Sequence, residues 1–193
     1  MEQLGLNKPH LLIMIGIPGS GKSYFANNFS NSFNAPIISD SLIRYKISDK
    51  PKYDKTEDEL VNKITAYLLA EFMKTRQTIV YEGQTSLKAD RLLIYKLCRD
   101  KGYNPLLVWV QTDETTAKKR FKKIIGDPLL AEDRFVKRSK QFCPPKADEA
   151  VVVISGKFTY SSQLKIVLKK LVDTTNQNEE SKRTNEDRRS LFR

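Results

Sequence analysis

A glycine-rich stretch at residues 16–23, reading GIPGSGKS, constrains this chain more than any other feature. It fits the G-x-x-x-x-G-K-S phosphate-binding loop at every specified position. An apolar run at residues 11–15 precedes the loop and has the length of a buried parallel strand. Residues 23–29 follow it with apolar side chains at helical spacing. The order of strand, loop and helix that the motif requires is therefore present.

Each part of the loop suits a polyphosphate ligand. Its glycines can adopt backbone conformations closed to residues with a Cβ, and successive N–H groups then point at the anion. The positive end of the helix dipole adds to these donors. We expect Lys22 to reach the β- and γ-phosphates of ATP and the Ser23 hydroxyl to bind Mg²⁺. The predicted nucleotide-binding residues of this stretch are Gly16, Ile17, Pro18, Gly19, Ser20, Gly21, Lys22, Ser23 and Tyr24.

Length and composition describe one ordinary domain. The chain has 193 residues, of which 30% are charged and 39% hydrophobic, as in soluble globular proteins. It has no apolar stretch of membrane-span length and no signal-sequence pattern at its start, so we expect a cytoplasmic protein without a membrane partner. The two cysteines, Cys98 and Cys143, lie far apart, and the chain has one histidine. This argues against a zinc site and against a disulfide framework.

Strand and helix patterns alternate along the chain. Apolar, β-branched runs predict further strands within 34–40 and at 77–83, 106–111 and 151–155, with helical patterns between and after them. The alternation predicts a three-layer α/β fold with a mostly parallel five-stranded sheet, helices on both faces and right-handed crossovers. We expect one domain over residues 1–172. The polar tail at 173–193 has almost no apolar residues and is predicted to be disordered.

Two of the predicted strands deliver an acidic residue to the same edge of the sheet. Asp40 follows the second strand and Glu82 ends the third, and ligands bind at this edge in open α/β sheets. Asp40, Ser41 and Arg44 can share one face of the site; alternatively, Asp40 caps a helix that begins at Ser41. Glu82 is predicted to position a catalytic water or to hold Mg²⁺ through water; alternatively, it is an exposed acid at a strand end.

The net charge of +11 is concentrated in one segment. Residues 117–146 contain ten lysines and arginines against three acids, and residues 125–143 are predicted to form a mobile basic lid. Such a lid can stabilise the charge on a phosphoryl group in transfer and exclude water from it. A solvated helix face is the alternative for the lysines at 118–123, but it explains Arg134 and Arg138 less well.

Four motifs occur in the chain in a definite order. They are GIPGSGKS, ISDSLIR at 38–44, YEG at 81–83 with Arg91 downstream, and QFCPPKADE at 141–149 after the lid. Over about residues 9–172 this combination resembles the small P-loop kinases of the polynucleotide-kinase-like group, which are AAA-domain-type ATP-binding kinases of the P-loop NTPase superfamily. The chain departs from that group in two places. Asp40 and Arg44 are four positions apart instead of three, and EGQT replaces Asp-Gly-Thr-Asn at the strand end.

The resemblance implies a role for each matching residue. In that group the loop binds ATP, an acid after the second strand is the general base toward the acceptor hydroxyl, and a nearby arginine binds acceptor phosphate. By position, these residues are Asp40 and Arg44. The resemblance further implies that Arg134 and Arg138 clamp the transferring phosphate and that Arg120 lies against the nucleotide.

Together these features predict a kinase that transfers the γ-phosphate of ATP to a hydroxyl group with the help of Mg²⁺. No guanine-reading N-K-x-D pattern is visible, and the chain is short for a mechanical ATPase. A polynucleotide 5′-hydroxyl is the first acceptor predicted, because the lid is basic. The alternatives are a kinase for a small metabolite and a nucleotide-dependent binding module that hydrolyses ATP slowly. The sequence leaves the oligomeric state open.

Overall fold

The computed structural model describes residues 8–173. Its strands are β1 (His10–Ile15), β2 (Ile37–Ser39), β3 (Ile79–Glu82), β4 (Asn104–Gln111) and β5 (Val151–Ser155). Its helices are α1 (Lys22–Phe33), α2 (Asp40–Ile47), α3 (Lys55–Lys74), α4 (Lys88–Lys101), α5 (Glu114–Ile125), α6 (Pro128–Gln141) and α7, which covers residues 160–173. No helix of this part is long and apolar enough to cross a membrane. From residue 174 onward, the tail predicted to be disordered lies outside the described residues.

The five strands form one parallel sheet in the order β2-β3-β1-β4-β5. β1 lies at its centre, with Leu11 opposite Ile79 of β3 and His10 opposite Asn104 of β4. Parallel neighbours need crossover connections, which are usually helical, and the chain supplies helices between all successive strands. The predicted three-layer α/β fold with a five-stranded parallel sheet is confirmed.

The order of the strands decides which face each helix covers. From β1 the chain crosses to β2 at one edge, and all later crossovers run in the opposite direction across the sheet. Because such crossovers are right-handed as a rule, α1 is expected on one face and α3 and α4 on the other. Phe25 and Phe29 of α1 accordingly pack with Val167 of α7 in a first core cluster. Leu69 of α3 and Ile94 of α4 pack in a second cluster on the opposite face.

β1 is an uninterrupted apolar run because both of its faces are covered. Leu12 and Met14 pack in the first cluster, and Leu11, Ile13 and Ile15 pack in the second. All five side chains are fully buried, and the burial of each stabilises the fold by roughly 1.5–3 kcal/mol. The strand is therefore held firmly and determines where the following loop lies.

The predicted basic lid at residues 125–143 contains helix α6, which packs on α5. Asp113 caps α5, because its side chain accepts a 2.9 Å hydrogen bond from the backbone N–H of Thr116. The rings of Phe121 in α5 and Phe135 in α6 have their centroids 6.1 Å apart. This contact positions α6 above the carboxyl edge of the sheet, where the phosphate-binding loop also lies.

Candidate active site

The phosphate-binding loop connects β1 to α1 in a conformation that glycine adopts far more readily than other residues. Gly16, Gly19 and Gly21 have φ angles of 142°, 74° and 110°. A Cβ on Gly19 would also collide with the backbone carbonyl of Ala117 in α5. Glycine is therefore needed at position 19 both for its backbone angle and for the close approach of α5.

Lys22 lies at the start of α1 and turns back over the loop. Its Nζ donates hydrogen bonds of 2.9 Å to the carbonyl oxygens of Gly16 and Ile17. Burial lowers the pKa of Lys22, the charge of Glu82 raises it, and the charge of Arg138 lowers it. The carboxylate of Glu82 and the guanidinium of Arg138 in the predicted lid therefore both lie near this ammonium group.

Ser23 and Glu82, the predicted Mg²⁺ residues, lie together in the structure. The Ser23 Oγ donates a 2.6 Å hydrogen bond to Glu82 Oε1, and the Ser39 Oγ donates a 3.2 Å bond to Oε2. Mg²⁺ in nucleotide sites is held by one or two such oxygen ligands together with phosphate oxygens. Within residues 8–173, no group of three or more His, Cys, Asp and Glu side chains could hold a metal ion. The Ser23 hydroxyl and the Glu82 carboxylate are oxygen donors of the kind that fit Mg²⁺ shared with a polyphosphate.

Asp40 is the first residue of α2 and directly follows β2. Its Oδ1 accepts a 2.8 Å hydrogen bond from the hydroxyl of Thr65 in α3. The N-cap of α2 is Ser39, so the alternative that Asp40 caps a helix beginning one residue later does not hold. Burial raises the pKa of Asp40 to about 6, although the Thr65 hydrogen bond and the charges of Arg138 and Arg44 oppose the rise.

Arg44, predicted to bind an acceptor phosphate, is engaged by two carboxylates. Its guanidinium donates a 2.9 Å hydrogen bond to Glu57 and forms an ion pair with Asp58, both in the first turn of α3. The Arg44 side chain is only 5% exposed. Its charge is therefore compensated within the protein, as buried charges generally are. In this structure Arg44 fixes α2 against α3 and lines the site without a free positive charge.

No sequence motif indicated Tyr53 as a residue of the site. In the structure it connects the loop between α2 and α3 to the predicted lid. The guanidinium of Arg134 lies 3.4 Å from the centroid of its ring, and that of Arg44 lies 4.6 Å from it. The backbone N–H of Tyr53 donates a 2.7 Å hydrogen bond to Glu57. Its φ angle of 56° is uncommon for a residue with a Cβ. Tyr53 thus holds a lid arginine over the site.

The predicted catalytic residues border two cavities, which we call the inner and the outer cavity. The inner cavity, about 200 Å³, is lined by the phosphate-binding loop, Glu82 and the lid. The outer cavity, about 560 Å³, lies away from the loop between α3, the start of α4 and α6. Residues that line both are Asp40, Arg44, Tyr53, Gly83, Ser86, Arg134 and Arg138. The structure therefore brings the predicted base and the lid arginines to the boundary between two compartments.

A third cavity, of about 530 Å³, adjoins the phosphate-binding loop and the end of α5. Tyr24, Arg120 and Phe158 line it together with residues of the loop. Arg120 donates a 2.9 Å hydrogen bond to the carbonyl oxygen of Gly156. A Cβ on Gly156 would collide with the carbonyl of Ser20, so the turn after β5 presses directly on the loop. Tyr24 and Arg120, both predicted to contact the nucleotide, thus border the same space.

A buried ion pair that the sequence did not reveal anchors the segment after the lid helix. The Nε and Nη2 of Arg91 donate to the two carboxylate oxygens of Glu149, at 2.7 and 2.8 Å. The Nη1 donates to the carbonyl oxygens of Thr85 and Cys143, at 3.1 and 3.0 Å. The two charged side chains are 0% and 3% exposed. Arg91 therefore connects the segment after α6 to the loop after β3, which forms part of the site.

Sequence patterns did not indicate three residues of the site, which are Tyr53, Thr65 and Glu149. Tyr53 lies in a polar loop, and Glu149 lies far along the chain from the arginine that it binds. Of the three, Thr65 alone has a sequence feature that could have indicated its role. It occupies a buried position of α3 in register with Val61 and Leu69, where an apolar residue is the rule. A hydroxyl at such a position indicates a polar partner on a neighbouring element.

A family model described as an AAA domain matches residues 11–124, which is more than half of the chain. The chain belongs to this AAA-domain family. The match begins in β1, includes the phosphate-binding loop, Asp40 and Glu82, and ends within α5. The predicted lid of this AAA-domain protein, residues 125–143, lies beyond the matched residues. The finer assignment to the polynucleotide-kinase-like group stays a prediction.

Solved structures share the fold of this AAA-domain protein over most of the chain. A gluconokinase from Sinorhizobium meliloti 1021 matches with a TM-score of 0.62 and 14% identity, covering 90% of this chain and 97% of that one. The APS kinase of Mycobacterium tuberculosis in complex with AMPPNP and APS matches with a TM-score of 0.65 and 15% identity, covering 86% and 98%. A deoxyadenosine kinase from M. mycoides matches with a TM-score of 0.56 and 14% identity, covering 84% and 99%. No curated protein matches the chain. At these identities the likeness shows the fold alone.

Proposed function

We propose that the protein is a kinase that transfers the γ-phosphate of ATP to a hydroxyl group of an acceptor molecule. The observation that carries this proposal is the position of Asp40, which lines both the inner cavity at the phosphate-binding loop and the larger outer cavity. Hydrolysis of ATP alone needs no second compartment for an acceptor. The gluconokinase and the APS kinase that share the fold of this protein support the proposal. Residues 1–172 would be the kinase domain, with residues 125–143 as its lid.

The phosphate-binding loop is the ATP site in this proposal. Backbone N–H groups of the loop and Lys22 bind the β- and γ-phosphates. Tyr24 and Arg120 line the third cavity, which has room for the rest of the nucleotide. Ser23 and Glu82 would hold Mg²⁺, which neutralises charge on the phosphates when bound.

Asp40 is the general base in this proposal. The Thr65 hydroxyl donates a hydrogen bond to the Oδ1 of Asp40. No described residue donates a hydrogen bond to Oδ2, which leaves that oxygen for an acceptor hydroxyl. A pKa of about 6 keeps the carboxylate ionised at neutral pH and makes it more basic than an ordinary aspartate. The acceptor oxygen bonds to the γ-phosphorus, its proton passes to Asp40, and the bond from that phosphorus to ADP breaks. Such a base contributes about 10² to 10⁴ in rate.

Lys22 and the lid arginines would stabilise the charge of the transferring phosphoryl group. Arg138 lies close enough to Lys22 and Asp40 to shift the pKa of both, and it forms no ion pair within the described part of the chain. Arg134, held on the ring of Tyr53, lines the same inner cavity. Preorganised cations at the phosphoryl oxygens lower the barrier to transfer. A lid that excludes water also prevents hydrolysis of ATP in place of transfer.

The polynucleotide 5′-hydroxyl stays a candidate acceptor because of the positive charge on α5 and the lid. Part of this charge is compensated, since Lys118 and Lys122 form ion pairs with Glu132 at 2.6 and 3.0 Å. Exposed basic residues remain at Lys119 and Lys137. Contacts from these residues to a phosphate backbone would make binding weaken steeply with salt, because each contact releases counterions.

Turnover of ATP by the Lys22→Ala variant tests the proposal. Lys22 acts on phosphate and lies outside the core, so the variant should fold normally and lose nearly all Mg·ATP turnover. ADP formation, measured with Mg²⁺ and with EDTA in its place, is the readout. Lys165→Ala, which removes an exposed lysine of α7, is the matched control and should keep wild-type turnover. Normal turnover by a folded Lys22→Ala protein would contradict the nucleotide site and the proposed function with it.

A further inference from the structure

The outer cavity carries polar atoms that no described residue satisfies. The Oδ2 of Asp90 and the Nη1 of Arg134 are buried and have no hydrogen-bond partner in the described part of the chain. Asp90 lies in the first turn of α4 and Arg134 lies within α6, and both residues line the outer cavity. Buried polar atoms without partners are rare, because nothing compensates the loss of their hydration. The wall of this cavity therefore contains one acceptor atom and one donor group without a protein partner, which a rotation of either side chain would present to a polar ligand.

The charges around the outer cavity are nearly balanced. Five basic and four acidic residues line it, and one of the basic residues, Arg44, already pairs with Glu57 and Asp58. A groove that follows a nucleic-acid backbone needs a clear excess of positive charge. The lining instead fits a ligand that presents hydrogen-bond donors as well as acceptors.

A nucleobase finds no free aromatic surface in the outer cavity. Tyr53 is the one aromatic residue of its lining, and its ring is already contacted by the guanidinium groups of Arg44 and Arg134. Unpaired bases bind proteins largely by stacking on aromatic faces. The large apolar side chains of the lining are Leu87 and Leu130. A volume of about 560 Å³ with such a lining suits a small polar molecule.

We propose that the acceptor is a small polyhydroxylated molecule of the sugar, sugar-acid or polyol class. One hydroxyl of this acceptor loses its proton to Asp40 and receives the phosphoryl group. A second hydroxyl donates a hydrogen bond to Oδ2 of Asp90, and another oxygen of the acceptor accepts a hydrogen bond from Nη1 of Arg134. This inference rests on the proposed kinase function and adds the class of its acceptor. Asp90 is then an acceptor-binding residue.

The test measures transfer from γ-labelled ATP to a panel of sugars, sugar acids and polyols, with a 5′-hydroxyl oligoribonucleotide alongside. At least one panel member should be phosphorylated. With that molecule, Asp90→Ala should raise the acceptor KM about tenfold or more, because a hydrogen bond to a charged group is lost. Asp90→Asn keeps an oxygen acceptor and should restore part of the loss. Asp100→Ala, at the exposed end of the same helix, is the matched control and should keep the wild-type KM.

A second readout does not depend on turnover. The phosphorylated panel member, added with a non-hydrolysable ATP analogue, should raise the melting temperature of the wild type more than that of Asp90→Ala. Transfer to the oligonucleotide alone would overturn the acceptor class, as would an unchanged KM in Asp90→Ala. If the protein hydrolyses Mg·ATP but transfers phosphate neither to a panel member nor to the oligonucleotide, the acceptor class would also be overturned. A wild type that neither binds nor hydrolyses Mg·ATP would overturn the kinase function itself.

Discussion

Asp40 and Thr65 meet across two helices, where the Thr65 hydroxyl donates a 2.8 Å hydrogen bond to Asp40 Oδ1. Thr65 is buried in α3, and Asp40 is the first residue of α2. The bond fixes the carboxylate at the end of β2 and leaves its second oxygen for the proposed acceptor hydroxyl. It also stabilises the ionised carboxylate, and so it opposes the burial that raises the pKa of Asp40 to about 6.

The rate of phosphate transfer should rise with pH through about 6. Below this pH, Asp40 is protonated and cannot accept the proton of the acceptor; above it, the base is ionised. Thr65→Val removes the hydrogen bond that favours the ionised form, so the rise should move to higher pH. The pH dependence of kcat for the two proteins is the measurement. The same profile in both would show that another group controls the rate.

Asp40→Asn should lower the transfer rate and raise the stability at neutral pH. The folded state raises the pKa of Asp40 from 3.8 to about 6. The ionised carboxylate therefore destabilises the fold by about 2–3 kcal/mol above pH 6, and this effect disappears as the pH falls toward 4. We expect a transfer rate at least tenfold lower, and a larger free energy of unfolding at pH 7.5 but not at pH 4. Normal transfer by Asp40→Asn, with loss in Glu82→Gln, would place the base on β3.

His10 should make the fold less stable as the pH falls below about 6.5. It is fully buried in β1, its Nδ1 lies 3.0 Å from the Lys8 carbonyl oxygen, and its Nε2 has no partner in the described part of the chain. Burial lowers the pKa of His10 from 6.5. The unfolded chain therefore binds a proton first, and stability present above pH 6.5 is lost below it.

Urea unfolding between pH 5 and 7.5 measures the effect of His10. Asp40 titrates in the same range with the opposite sign, so the comparison is made in the Asp40→Asn background. His10→Gln removes the titrating ring and should flatten the pH dependence of the free energy of unfolding. An equal slope with and without His10 would contradict the prediction.

The strands and the sheet could be predicted because their signals are local. Apolar runs and turn residues act over a few positions, and β5 lies at the residues where its pattern placed it, 151–155. Helix ends depend more on individual hydrogen bonds. α3 begins at Lys55 because Asp54 caps it by accepting a 2.8 Å hydrogen bond from the backbone N–H of Glu57.

The site could be predicted only where a motif carries it. The loop and the strand ends indicated Lys22, Asp40 and Glu82 because parallel strands bring their carboxyl ends to one edge. Pairing between distant side chains has no comparable pattern. Arg44 shows this limit: the resemblance implies that it binds an acceptor phosphate, and nothing local indicates the carboxylates thirteen and fourteen residues later that engage it in the structure.

The buried ion pair of Arg91 and Glu149 should contribute more to the position of the predicted lid than to the free energy of unfolding. Arg91→Met or Glu149→Leu alone leaves a buried charge without its partner and should lower the free energy of unfolding by about 3–5 kcal/mol. The double variant removes both charges and should recover most of this loss, since apolar side chains often replace a buried ion pair without cost. It cannot restore the hydrogen bonds from Arg91 to the Thr85 and Cys143 carbonyl groups.

The double variant therefore separates folding from catalysis. Cys143 lies five residues after Arg138, so a looser segment after α6 should let this lid arginine move away from Lys22 and Asp40. We expect kcat to fall severalfold at saturating ATP, with a melting temperature near that of the wild type. Arg76→Met is the matched control, because it removes an exposed arginine-to-carbonyl hydrogen bond far from the lid and should leave kcat unchanged. A stable and fully active double variant would show that the pair does not position the lid.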